Sequence, residues 1–436
     1  MATAVGLPTE ILLDCFEESI ESPAWEPDRR KSHKCLLDYA LVCRGWTGAA
    51  QALLFRAVRF PENEDGPEQG VRPLVLRLKQ TLDAHERRGS KLAEKIQSLA
   101  LTVGVAPSFD YEARVDVDAI GCDLPLLVDM LGKLTNLHHL ELNASTGWVD
   151  RDKYLADPAK AHLVRETFTA DEMTALKGVK GSKDRKGVQN LKALTLKLSE
   201  FDMPLFAQLL AAFPALTYLD LTGTYHVSFA PNDAAGAPGA ADLSNLGSLR
   251  ELRASSATVA AEFAARVGPN DLHVETLHVG QLPGLPAIKA YKEHLRRLVV
   301  SDWSRMRQPD AAAGTEGDRT FPRLTELVFT GSGFHGSQTV LTALVGLSPV
   351  RHFGLQFEPT RLVSCRELVK LYEDVLGPPG ANKSVKSATV YSSSIPFYLH
   401  PLVPEEDALK QFRETRDFPI QWSDDAELMG IPGLRI

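Results

Sequence analysis

Leu216-Thr217-Tyr218-Leu219-Asp220-Leu221 carries apolar residues at its first, fourth and sixth positions, with variable residues between them. The same six-residue frame stands at Leu137-His138-His139-Leu140-Glu141-Leu142, from Leu191 to Leu196, from Leu295 to Val300 and from Leu324 to Phe329. Looser copies begin at Ile96, Leu249, Val274, Val350 and Val385. Apolar residues two apart are the signature of a strand with one face turned inward. Between copies the period changes to that of a helix. Leu205, Phe206, Leu209 and Leu210 follow Met203-Pro204 at helical spacing, and Val340, Leu341, Leu344, Val345 and Leu347 do so after Gly336. A unit of this kind leaves an apolar face that only the next unit can cover. The copies are therefore expected to stack as an α/β solenoid, with parallel strands on the concave face and helices outside. A doubly wound α/β domain also alternates strand and helix, but it does not require one frame to recur.

Successive copies start 41, 54, 25, 33, 25, 21, 29, 26 and 35 residues apart. Most intervals lie near the roughly 20–29 residues of a leucine-rich repeat, and the first two leave room for insertions. Such repeats carry an asparagine three residues past the frame; Ser145, Ser199, Thr224 and Ser332 stand there instead. A hydroxyl satisfies turn backbone less completely than an amide, so an irregular solenoid is expected. It spans residues 96–395, after a linker and helix over 63–95 and before a C-terminal cap or tail over 396–436. The variable frame positions make the concave face. His139, Glu141, Asn143, Tyr218, Asp220, Glu251, Arg253, Arg297, Glu326 and His352 are thus the candidate substrate-binding residues. Their mixture of charges points to specific recognition of a protein surface.

A formal net charge of −8 over 436 residues opposes binding to a phosphate backbone. The one basic cluster, Lys180, Lys183, Arg185 and Lys186, lies among Gly178, Gly181 and Gly187 and reads as a solvated loop. Five scattered cysteines make neither a disulfide framework nor a zinc site, and isolated thiols suit a reducing compartment. The run from Met1 to Phe16 has acidic residues where a signal peptide needs a basic and then an apolar stretch. No run approaches the ~18 apolar residues of a membrane span. The expectation is a soluble cytoplasmic or nuclear protein that binds neither nucleic acid nor membrane.

Gly331-Ser332-Gly333-Phe334-His335-Gly336 follows a strand frame, and Glu358 lies 22 residues on, in the order of a dinucleotide fingerprint. It comes too late in the chain for a full nucleotide fold, and the same strand-to-helix unit recurs elsewhere without these glycines. Neither a Gly-x-x-x-x-Gly-Lys phosphate loop nor a Gly-x-Ser-x-Gly elbow is present. Glu405-Glu406 and Asp424-Asp425 read as solvated charge in the C-terminal tail, and the adjacent His138 and His139 face opposite sides of a strand. No cofactor, no metal and no catalytic activity are expected.

Residues 7–60, in a first domain bounded at 1–62, do not share the frame. Thr9 is placed as an N-cap, with Ile11, Leu12, Cys15 and Phe16 on one helical face. Leu36, Leu37, Ala40 and Leu41 form a second apolar stripe, and Trp46, Ala49, Ala50, Leu53 and Leu54 a third. Val58 and Phe60 then alternate as a strand. Three short helices cannot cover all of this apolar surface, and the excess marks a partner interface or the capped end of the solenoid.

Leu7-Pro8-Thr9-Glu10-Ile11-Leu12, Leu41-Val42-Cys43-Arg44-Gly45-Trp46 and Leu54-Phe55-Arg56-Ala57-Val58 together resemble an F-box. The phrasing is similar to that of F-box proteins of mushroom-forming fungi, whose remaining chain is often a degenerate leucine-rich array. The resemblance implies a substrate-recognition subunit of a cullin–RING ubiquitin ligase, bound through a Skp-type adaptor and holding a protein substrate on its repeats. It implies adaptor contacts drawn from Leu7, Pro8, Ile11, Leu12, Leu41, Val42, Cys43 and Trp46, some of which serve the motif's own core. One departure is an insertion, Glu17 to Lys31, where the family has a short apolar link. The alternative is a stand-alone leucine-rich interaction protein whose first helices cap the array.

Overall fold

A computed structural model describes residues 8–20, 29–60, 71–103, 124–144, 169–177, 190–198, 203–222, 246–268, 271–282, 285–302, 321–329, 348–357, 384–392 and 420–424, with single positions 373 and 414. Leu7, the Gly331–Gly336 run, Glu358, the basic cluster at 180–186, the helical pattern at 340–347, Glu405-Glu406 and the four hydroxyl residues after the frames lie outside these residues. The chain divides into two units, Met1–Lys192 and Ala193–Arg435.

The first unit opens with three helices, α1 (Thr9–Ile20), α2 (Arg29–Val42) and α3 (Arg44–Arg56). The Leu12 N–H donates to the Pro8 carbonyl at 3.2 Å, which puts Pro8 at the cap position and Thr9 in the first turn. The expected Thr9 cap is corrected accordingly. Helical structure also takes up both flanks of the insertion, since α1 runs to Ile20 and α2 starts at Arg29. Cys43 breaks α2 from α3: its backbone is extended, and its carbonyl accepts the N–H groups of Trp46 and Thr47 at 3.1 and 3.3 Å.

From α3 the chain passes into β1 (Ala57–Arg59), which pairs in parallel with β2 (Ser98–Val103), itself parallel to β3 (His139–Ala144). Two helices of this unit, α4 (Val71–Arg87) and α6 (Leu124–Lys133), are joined by ion pairs. Lys79 Nζ lies 3.0 Å from Asp129 Oδ2, and Lys133 Nζ lies 2.6 Å from Asp83 Oδ1 and 3.1 Å from Glu86 Oε2. Between them stands α5 (Leu92–Lys95), and α7 (Ala170–Lys177) follows β3. At its start Thr169 and Glu172 cap reciprocally, each backbone N–H donating to the other's side chain.

In the second unit nine described strands pair in sequence order, all in parallel where their registers are defined. They are β4 (Ala193–Leu198), β5 (Tyr218–Leu221), β6 (Glu251–Ala254), β7 (Thr276–Gln281), β8 (Arg297–Asp302), β9 (Glu326–Phe329), β10 (His352–Phe357), β11 (Ser387–Ser392) and β12 (Ile420–Asp424). The row is open. Between strands stand α8 (Met203–Ala212), α9 (Ala257–Val267) and a 3-10 helix at Leu285–Tyr291. This α/β arrangement, in which each strand neighbours the next in the chain, is compatible with a solenoid-like fold. No helix among the described residues is long and apolar enough to cross a membrane.

The frame dictates the register. Leu194, Leu219, Leu252, Leu277, Leu298, Leu327, Phe353, Ala388 and Ile420 are successive cross-strand partners, one fourth position opposite the next. Leu140, Leu142, Leu194, Leu196, Leu219, Leu221, Leu298, Leu327 and Phe329 are all buried, as the frame requires. The unequal repeat lengths are absorbed in the connections, leaving the strands in step. Each second-position carbonyl also serves two donors of the next copy. Thr217 accepts from the N–H groups of Arg250 and Glu251, Arg250 from Glu275 and Thr276, and Glu275 from Arg296 and Arg297, at 2.8–3.0 Å. Strands exist at both ends beyond residues 96–395, namely β1 and β12, so Asp424 closes a strand where solvated tail was expected.

One position depends on glycine for space. A Cβ at Gly280, at the end of β7, would overlap the backbone carbonyl of Ser255, one strand earlier. Nearby, α9 is capped at both ends: Ser256 Oγ accepts the Val259 N–H, and Gly268 at φ 93° donates its N–H to the Ala264 carbonyl.

Candidate functional site

The residues singled out by sequence fall into two groups. The first is on the N-terminal helices. Leu12, Phe16, Leu36, Ala49 and Ala50 are buried together, with Tyr39, Ala40, Trp46, Leu53 and Leu54 packed against them. Phe16 stacks on Tyr39 at 4.6 Å between ring centroids, and Trp46 meets Phe16 edge-on at 5.2 Å and Tyr39 at 6.1 Å. Aromatic pairs at these separations favour offset or edge contacts, so three rings close one small core. Leu12 and Trp46 therefore belong to the core.

What the core leaves out is apolar. Ile11 is 45% exposed, Leu37 55%, Leu41 83% and Val42 60%. Leu37 and Leu41 are one turn apart on α2, about 100° around the helix from Leu36 and Ala40, so the stripe read from sequence divides between an inward and an outward row. Pro8 is exposed and Cys43 is half-buried. Leu37 was read from sequence as part of this stripe but not as an adaptor contact. Helical spacing groups it with Leu36, and only the packing of α3 tells the two apart.

The other residues singled out occupy the third and fifth frame positions, on one face of the strands within each unit. In the first unit, His139 Nδ1 is 2.9 Å from Ser98 Oγ on the neighbouring strand. The Glu141 carboxylate meets Arg59 at 3.5 Å across the small side chain of Ala100, to which both residues are register partners. Both His139 and Glu141 are buried, whereas Asn143 is half-buried with Oδ1 unpaired.

The second unit places Tyr218, Asp220, Glu251, Arg253 and His278 in one network. Arg253 binds Glu251 Oε1 through Nε at 3.1 Å and through a terminal nitrogen at 3.0 Å, and its guanidinium lies 5.2 Å from the centre of the Tyr218 ring. Tyr218 donates its hydroxyl to Asp220 Oδ2 at 3.3 Å. The other Asp220 oxygen accepts the Thr222 N–H and hydroxyl at 2.8 and 2.7 Å. Burial raises the Glu251 carboxyl above its ordinary range, against the pull of Arg253. Burial likewise holds His278 well below its ordinary value, assisted by Arg253 and Arg297. His278 Nε2 lies 3.4 Å from Glu251, where that burial disfavours the charged imidazolium.

Farther along the row, Arg297 Nε lies 3.3 Å from Glu326 Oε1 without hydrogen-bond alignment, and His352 Nδ1 is 2.8 Å from Ser387 Oγ. Burial lowers the His352 pKa, with Glu326 opposing and Arg297 assisting. Tyr218, Glu251 and Arg253 are buried, while Asp220, Arg297, Glu326 and His352 are half-buried. The polar groups of this face mostly satisfy one another.

The exposed polar residues are elsewhere, at the second frame position. Arg250, Arg296, Arg351 and Lys386 each immediately precede a strand and are exposed. Sequence reading passed over this row because strand alternation assigns recognition to positions three and five. Models of known protein families and curated proteins were both compared with the chain, and none matches it.

Proposed function

We propose that this chain is a substrate-recognition subunit of a cullin–RING ubiquitin ligase: an F-box on α1–α3 that binds a Skp-type adaptor, followed by an irregular leucine-rich-repeat solenoid that holds a protein substrate. The observation that carries the reading is the group of exposed apolar side chains on the first three helices. Exposed leucine and isoleucine at 45–83%, beside a closed aromatic core, is a surface that gains by being covered. It coincides with the motif positions Ile11, Leu41 and Val42 that the F-box resemblance assigns to the adaptor. Leu12 and Trp46 take the part of motif core.

One observation favours the reading in which these helices cap a stand-alone leucine-rich array. The chain runs from α3 straight into β1, and the Gln97 N–H donates to the Arg56 carbonyl at 2.9 Å, so the helices abut the end of a sheet. The two readings differ in what happens to purified protein mixed with adaptor. Co-purification of a Skp-type adaptor with the full chain supports the F-box, and replacing Leu7 and Pro8 with Ala should weaken capture at least about tenfold, since interface energy concentrates in a few anchors. Folded wild-type protein that captures no adaptor leaves the capping account standing.

A further inference from the structure

The second frame positions of β5 to β11 are Thr217, Arg250, Glu275, Arg296, Thr325, Arg351 and Lys386: four cations and one carboxylate on a chain of net charge −8. Their carbonyls and N–H groups form the hydrogen-bonded run described above, so the residues stand one strand spacing apart, about 4.8 Å. Glu275 shows how a carboxylate fits this row. Its Oε1 is 3.8 Å from Arg250 Nε and its Oε2 is 3.5 Å from Arg296 Nε, so one acid bridges the cations on either side. All three side chains are 39–60% exposed, where such pairs contribute little stability and exchange readily with other acids. Beyond Thr325, Arg351 and Lys386 stand side by side with no carboxylate in the row and no ion pair among the described residues.

We propose that this row is a docking strip for an acidic, extended polypeptide segment, whose carboxylates take up at Arg351 and Lys386 the place that Glu275 holds between Arg250 and Arg296. The proposal rests on the reading of the repeats as the recognition half of the chain, and it gives the substrate a chemistry. Charge complementarity commits it to an acidic partner: like charges opposed across an interface are costly, and opposite ones speed encounter and set register. The strip runs across the strands, so a segment lying along it meets Arg351 and Lys386 one strand spacing apart and Arg296 two spacings before Arg351. The buried Arg253–Glu251–Tyr218 network lies on the strands that begin at this row.

The test is fluorescence anisotropy of a short labelled peptide of alternating Glu and Ser against the full chain, at low and at high salt. Saturable binding that weakens with salt is expected. Arg351→Glu with Lys386→Glu should weaken it at least about tenfold, while Arg88→Glu with Lys91→Glu, the same charge change on exposed residues of the first unit, should alter it less than about twofold. A phosphoserine version of the peptide distinguishes phosphate from carboxylate as the preferred acid. No binding by wild-type protein, equal loss in both reversals, or tighter binding of a single-stranded oligonucleotide or anionic vesicles than of either peptide would overturn the proposal. Adaptor capture by the Arg351/Lys386 variant should be unchanged, which separates failure of this strip from failure of the F-box reading.

Discussion

Leu219 is fully buried in the middle of a ladder of fourth-position side chains, with Leu194 and Leu252 as its register partners. Truncation leaves a cavity that a continuous sheet cannot close, so Leu219→Ala should cost about 2–5 kcal/mol in denaturant unfolding. A loss under about 1 kcal/mol would show that the ladder is not a packed core. Gly280 supplies a prediction of the opposite kind, from added volume. Gly280→Ala forces the Ser255 backbone to move and should destabilise by about 1–3 kcal/mol, where Gly132→Ala, with nothing near its Cβ position, should not. At this scale the sequence was informative wherever the frame was apolar at all three positions. It was silent at Ile420 and Trp422, because Asp417 occupies the first position of what the register makes a further copy.

Elements were legible in the same measure as their periodicity. The three N-terminal helices and the strand after them stand where the apolar stripes put them. The side on which Leu37 falls was not legible, since residues adjacent in a helix share a stripe until a partner divides it. The joining of α4 to α6 was not legible either, because it rests on five charged side chains paired across about fifty residues of sequence. It makes a pH prediction. The hydrogen bond from Lys133, then that from Lys79, holds the Asp83 carboxyl below its ordinary value, while Lys133 and Lys79 are raised by their acidic partners. A depressed carboxyl contributes stability that is present above its unfolded value, about 3.9, and is lost as pH falls through the lower folded value. The raised lysines contribute below about 10.4 and lose their contribution only above it. Between these limits Asp83, Lys79 and Lys133 all carry their charges. Chemical denaturation from about pH 6 to pH 2 should therefore show a smaller acid-side loss for Asp83→Asn than for wild type, and an equal loss in both would dissociate Asp83 from this linkage.

At the scale of the whole molecule, the described residues combine three N-terminal helices that carry an apolar surplus with parallel strands whose polar side chains largely satisfy one another. The α/β class, with parallel strands paired in sequence order, was legible because the six-residue frame is a local signal repeated many times. The recognition surface was less so: its position depends on which polar residues pair with each other, and that is decided by register across strands, not by spacing along the chain. The central claim is that the exposed leucines of the helical unit are an adaptor interface, and calorimetric titration of a Skp-type adaptor into the full chain and into Leu41→Glu measures it most directly. Leu41 is 83% exposed and outside the core, so the substitution should leave helical content and unfolding unchanged. The account predicts saturable binding by wild-type protein and an affinity at least about thirtyfold weaker for Leu41→Glu, the loss of a buried anchor worth some 2–3 kcal/mol. Equal affinity of the two proteins, or no heat of binding from folded wild-type protein, would contradict it.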